Sequence, residues 1–206
     1  MVRLLIAEAA PGVTTPDHCF GGLPIVPVGT EFTWPCCKTC HGPMQFLGRL
    51  RIPGRTKLVL LFMCQNDPGM CDEWDANAGG NCAIVVPTRN LRKVPAPQEG
   101  NTRREKRYGA RQVRSAKADY EEAREAWAQK SGKPMRKVLG QLLGKPFWIQ
   151  AQETPKCNFC RKRMTFLAQL EEGPDWKTEM NFGGGGCAYV FECPCGKHSA
   201  KFLWQC

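Results

Sequence analysis

Histidine is nearly absent from this chain, with three in 206 residues, and that scarcity removes most routes to acid-base catalysis at neutral pH. His18, His41 and His198 each lie beside or near a cysteine, and His41 directly follows one, so they read as outer-shell or solvent groups. A Ser-His-Asp order, a phosphate loop and a Rossmann fingerprint are also missing. The zinc deaminase pattern fails too, because it needs His-x-Glu and Pro-Cys-x-x-Cys, whereas Pro35-Cys36 is followed by cysteine at 37 and 40. No enzyme is expected. Long apolar runs are lacking as well. The opening Leu4-Leu5-Ile6-Ala7 is cut short by Glu8, too short for a secretory h-region or a membrane span. A soluble, cytoplasmic protein with no membrane partner is the expectation.

What the chain has in excess is cysteine, thirteen of them, and positive charge, +10 overall. In a reducing compartment metal ligation is a better use for cysteine than disulfides, and an odd count argues against complete pairing. The charge is local. Arg89 to Lys117 holds ten basic residues against Glu99 and Glu105, and the stretch from Asp119 to Glu125 then turns acidic. Only Tyr108 interrupts the basic run as an aromatic, whereas single-strand binders interleave several stacking rings with their cations. Nucleic acid is therefore the second choice of partner, behind another protein.

Residues 35 to 47, PCCKTCHGPMQFL, and 155 to 167, PKCNFCRKRMTFL, share the frame Pro-x-Cys-x-x-Cys-x-x-x-Met-x-Phe-Leu without a gap. Upstream stand Gly22-Leu23-Pro24 and Gly144-Lys145-Pro146, with Trp34 and Trp148 in the intervening stretches. Downstream, KLVLLFMC and CAYVFEC each end an apolar run in cysteine. This order of parts predicts an internal duplication. The fold class expected is α+β, mostly β: two pseudo-symmetric, zinc-stapled, β-rich lobes at 1–88 and 137–206, packed as one unit and joined over 89–136 by a basic linker and charged helix. Short β-branched or aromatic runs bounded by Gly and Pro, as in KLVLLFM, NCAIVVP, CAYVFE and KFLWQ, predict strands. A helix is expected from Arg103 to Gln129, ended by Ser131-Gly132-Lys133-Pro134.

A Cys-x-x-Cys turn presents two thiolates to one tetrahedral ion, and a distant second pair usually completes the shell. Cys37 and Cys40 would pair with Cys64 and Cys71, which flank QNDPGM. Cys157 and Cys160 would pair with Cys193 and Cys195 in ECPCGKH, with His198 as an alternative fourth ligand. Two structural zinc ions per chain are thus expected. Cys19, Cys36, Cys82, Cys187 and Cys206 read as packing residues, and Asp72, Glu73 and Asp75 as a solvated acidic loop.

FGGLP, PMQFL, FMCQNDPGMCDEWD, GKPFWIQ, CAYVF and FLWQC together resemble the YwqG-like bacterial family and, more distantly, the programmed cell death protein 2 family. The resemblance spans nearly the whole chain. It implies a duplicated β-rich fold with cysteine knuckles and no established catalytic site. It also implies a protein-binding role, since the distant relatives escort a ribosomal protein. The concrete expectation is a non-catalytic immunity protein that neutralises a secreted bacterial toxin, for instance a nuclease, by direct contact, with Arg103, Arg104 and Arg107 facing the partner. The alternative is a nucleic-acid-binding or ribosomal-protein-escorting zinc protein.

Overall fold

The four apolar runs form strands because alternate side chains find apolar partners on both faces of a twisted sheet. In the computed structural model, which describes residues 1–195 and 199–206, they are β5 (Lys57–Met63), β6 (Asn81–Pro87), β11 (Cys187–Glu192) and β12 (Ala200–Gln205). The remaining strands are β1 (Val2–Glu8), β2 (Cys19–Gly22), β3 (Ile25–Pro27), β4 (Gln45–Arg51), β7 (Leu91–Lys93), β8 (Arg104–Ser115), β9 (Val138–Leu142) and β10 (Thr165–Glu171). Ten of them make one sheet in the order β12-β11-β10-β9-β1-β8-β2-β4-β5-β6, and β3 pairs with β7 apart from it. The sheet curls until its two edges meet, with Ile84 of β6 bridging Ser199 just before β12. Near-closure leaves little exposed strand edge.

The inward face of the curl is an apolar core built from every strand of the ten-stranded sheet, including Leu5, Phe20, Leu61, Tyr108, Leu139, Leu170, Val190 and Phe202. Two further clusters lie outside the sheet, one under each cysteine knuckle. The first gathers Met44, Phe46 and Phe62 beneath Phe32 and Trp34. The second gathers Met164, Tyr189 and Phe191 beneath Trp148. A fourth cluster joins Leu4, Ile6 and Val138 to the helix through Tyr120 and Ala123.

The chain is mostly β with one α-helix among the described residues, α1 (Tyr120–Ser131). The helix expected from Arg103 is thereby corrected: its first half is β8. Charged residues masked a strand there. Central β8 pairs with β1 from Val2↔Ser115 to Glu8↔Gly109 and with β2 at Cys19↔Gly109 and Phe20↔Tyr108, and two neighbours outweigh local helix propensity. Gly109 is needed there, since a Cβ would come 2.6 Å from the carbonyl oxygen of Ala9. The helix itself begins where the acidic block does. The Asp119 carboxylate caps it by accepting from the backbone N–H of Glu121 and Glu122, and Gly132 closes it in the left-handed region. No helix among the described residues is long and apolar enough to cross a membrane.

Candidate metal centres

The local chain path explains how each Cys-x-x-Cys is presented. In the first knuckle Cys37 N–H donates to Gly42 O, His41 N–H to Cys37 O and Met44 N–H to Pro35 O, at 2.9, 3.0 and 2.9 Å. In the second, Cys157 N–H donates to Lys162 O, Arg161 N–H to Cys157 O and Met164 N–H to Pro155 O, again at 2.9, 3.0 and 2.9 Å. His41 and Arg161 occupy the left-handed region with φ of 60° and 63°, so both turns reverse by the same strained residue. Each knuckle then enters a strand bearing a register shift at the shared leucine, between Phe46 and Gly48 in β4 and between Phe166 and Ala168 in β10. Trp34 locks the first turn by donating its indole N–H to Met44 O at 2.8 Å.

The partner strand brings up the second pair. Cys64 follows β5 and Cys193 follows β11, each held at the strand end by its own N–H, to Gly80 O at 2.8 Å and to Ser199 O at 2.9 Å. The result is two four-sulfur groups, Cys37, Cys40, Cys64 and Cys71, and Cys157, Cys160, Cys193 and Cys195, with the sulfurs of each group within 4.8 Å of one another. Cys40 Sγ lies 3.6 Å from Cys64 Sγ, Cys160 Sγ 3.4 Å from Cys193 Sγ, and Cys157 Sγ 3.9 Å from Cys195 Sγ. These distances exclude disulfides, whose sulfurs bond at about 2.05 Å, and match the edge of about 3.8 Å for a tetrahedron of sulfurs at about 2.3 Å from a zinc ion. The structure thus provides two possible metal sites. His198 lies outside the described residues, and Cys195 supplies the fourth sulfur.

Electrostatics within each group follows from crowding. A backbone hydrogen bond from Gly42, aided by the Asn66 amide, brings the Cys40 thiol down to about 7. Burial and the neighbouring sulfurs of Cys64, Cys37 and Cys40 push Cys71 well above the thiol range. In the second group the backbone N–H of Cys160 lowers Cys157 to about 6. At Cys193 the backbone hydrogen bond of Cys195 is overcome by burial and the adjacent sulfurs, and the thiol rises to about 12. Four thiols so close cannot all ionise unaided, and a divalent cation is what lets them. Asn66 Nδ2 stands 3.5 Å from Cys40 Sγ and 3.6 Å from Cys64 Sγ, an outer donor that orients both sulfurs.

The remaining expectations divide. Cys19 and Cys187 are buried packing residues, but Cys36 and Cys206 are exposed and do not pack. The acidic loop is not simply solvated: Glu73 is 1% exposed, and its carboxylate accepts from the N–H of Gly69 and of Cys71. It shapes the loop that carries Cys71, a role that nothing in the sequence separates from those of its acidic neighbours Asp72 and Asp75. Glu172 acts likewise, accepting from Phe182, Gly184 and Gly185 at 2.9 to 3.0 Å to tie down the glycine-rich turn before β11. Arg103, Arg104 and Arg107 do not share one helix face. Arg103 is exposed and paired with Glu105 at 2.7 Å, while Arg104 and Arg107 are half-buried on β8. No protein-family model matches this chain, and no curated protein matches it.

Proposed function

We propose that this chain is a non-catalytic binding protein in which each four-cysteine centre holds one structural zinc ion, and that its target is another protein. The observation that carries the reading is the convergence of four sulfurs in both centres. Four thiolates saturate a tetrahedral ion and leave no position for substrate or water, which is the mark of a structural site and not of a catalytic one. Zinc suits an all-sulfur tetrahedron, and metal analysis distinguishes it from iron. The matched knuckle hydrogen bonds support an origin by internal duplication. So does the strand order: read outward from the central β1-β8 pair, β9 answers β2, β10 answers β4, β11 answers β5 and β12 answers β6.

The most concrete form of this reading is a cytoplasmic immunity protein that blocks a toxin by direct contact. Against a nuclease, a chain of net charge +10 would be repelled from a basic substrate cleft and would seat on an acidic or apolar surface instead. The exposed cations Lys106, Arg111 and Arg114 on β8 would steer such an encounter. The test is capture from the native host, reconstitution with the purified candidate, and co-expression. A one-to-one complex and relief of the captured protein's toxicity are expected.

One observation favours nucleic acid as the second reading. Phe159 sits between Cys157 and Cys160 with 66% of its surface exposed, beside the exposed Arg161, Lys162 and Arg163, an arrangement that could stack a base and hold its phosphate. Tight binding of single-stranded RNA or DNA with a steep salt slope, and no recoverable protein partner, would replace the first reading by this one.

A further inference from the structure

Arg49 is 1% exposed, yet its guanidinium meets only neutral oxygens. Nε donates to Asp17 O at 3.1 Å, and Nη2 to Thr15 O at 3.0 Å and to Gly12 O at 3.5 Å. Arg107, on the neighbouring β8, likewise reaches a carbonyl, donating to Pro11 O at 2.7 Å. Both terminal amino groups of Arg104 are buried and make no hydrogen bond. Among the described residues no carboxylate lies within ion-pair distance of these three arginines. They line one cavity of about 190 Å³ together with Lys93, Arg103 and Glu105, and that single carboxylate is already paired with Arg103. Buried charge is normally paired, because leaving it uncompensated in a poorly solvated place is costly. Here, among the described residues, no carboxylate completes an ion pair with Arg49, Arg104 or Arg107. Burial lowers the pKa of Arg49, with a smaller push from the charge of Arg107, against the opposing charge of Asp17.

We infer that this cavity between the β1-β2 loop and β8 is an anion site that takes a phosphate group. The guanidinium groups of Arg49 on β4 and Arg107 on β8, with Lys93 lining the same cavity, suit a tetrahedral oxyanion, which offers acceptors in several directions, better than a planar carboxylate. The volume admits a phosphate and a few waters but not a nucleoside, since pockets for ligands of that size run from about 300 Å³ upward. Gly22 keeps the space open: a Cβ there would come 2.7 Å from Cδ of Arg107 and displace it.

The experiment is calorimetric titration of the purified, metal-loaded protein with inorganic phosphate, against sodium chloride at matched ionic strength. Saturable binding is expected with phosphate alone. Lys93→Gln and Arg107→Gln should each weaken it about tenfold, the scale of one hydrogen bond to a charged group, and Lys133→Gln in the turn after α1 should leave it unchanged. Lys93 is exposed, so that variant carries the test if Arg107→Gln does not fold. Adenosine monophosphate distinguishes the source of the group. Competition with phosphate means the cavity receives the phosphate end of a larger molecule, and phosphate binding without competition means the free ion. Absence of saturable binding, an equal response to chloride, or unchanged affinity in Lys93→Gln would overturn the inference.

Discussion

Arg55, in the turn between β4 and β5, donates from one amino group to both carboxylate oxygens of Glu192 at the end of β11, at 2.8 and 3.0 Å. The pair ties sequence positions 137 residues apart across the mouth of the curled sheet and sits directly beside Cys193. Because Arg55 is half-exposed, solvent screens the attraction, and the coupling should be about 1 kcal/mol. Glu192 is the more buried partner, so Arg55→Ala should cost somewhat more, about 2 kcal/mol, by leaving that carboxylate without its donor. A double-mutant cycle with Glu192→Gln, read by urea denaturation, separates the two effects.

Acid should destabilise the fold through His18. Burial, with a smaller contribution from Arg51, lowers its pKa to about 4 despite the opposing charge of Asp17. The ring accepts the backbone N–H of Arg51 at Nδ1, and Nε2 faces the Gln112 amide at 3.2 Å, so the neutral form is the one that fits. Between about pH 6.5 and pH 4 the unfolded chain binds a proton that the folded chain refuses, and stability therefore falls as pH falls through that window. The full loss is about 3 kcal/mol below pH 4. Thiolate centres also release metal in acid, so the measurement is the difference between the wild type and His18→Gln. The wild type's stability relative to that variant should fall by about 3 kcal/mol between pH 7 and pH 4, and a parallel pH dependence would remove His18 as the cause.

Gly140 lets β9 lie against β10 without a side chain between them. Its φ is +133°, outside the range of L side chains, and a Cβ would lie 1.9 Å from Gln169 O on β10. Gly140→Ala should therefore force β9 from β10 and cost about 3 kcal/mol, from backbone strain and overpacking together. Amide exchange would localise the damage, with β9 and β10 losing protection before β5 and β6.

The strands that the sequence makes plain are those whose apolar residues dominate, such as KLVLLFM and CAYVFE, and the paired cysteine frame locates both sulfur groups directly. The central strands were the hidden ones. In β8 exposed Lys106, Arg111 and Arg114 surround buried Tyr108 and Ala110, so charge count suggests a helix and only the pairing with β1 and β2 decides for a strand. β9 is short and contains Gly140, which reads as a breaker until its neighbour on β10 is known. The basic cavity was equally illegible, because Arg49 comes from β4, Lys93 from β7 and the other cations from the segment 103–107. No spacing in the chain announces that convergence.

The two adjacent cysteines of the first knuckle provide the sharpest test of the metal centres. Cys37 is 1% exposed and belongs to the four-sulfur group, whereas Cys36 is exposed and its thiol meets only Trp34 O, at 3.8 Å. Removing one thiolate from a closed shell leaves three crowded sulfurs without an adequate cation, and metal affinity in such sites is coupled to folding. Cys37→Ser should therefore lower the metal content from two ions per chain to one. It should destabilise by about 4 kcal/mol, or roughly 10 °C in melting temperature for a chain of this length. Cys36→Ser should keep both ions and change stability by less than about 0.5 kcal/mol. Cys157→Ser should repeat the loss at the second centre, and Cys195→Ser should do the same if sulfur completes that shell, with His198→Ala then leaving the metal count at two. Equal effects of Cys36→Ser and Cys37→Ser would show that the first four-sulfur group holds no ion, since only a bound cation distinguishes the buried thiol from its exposed neighbour by so wide a margin.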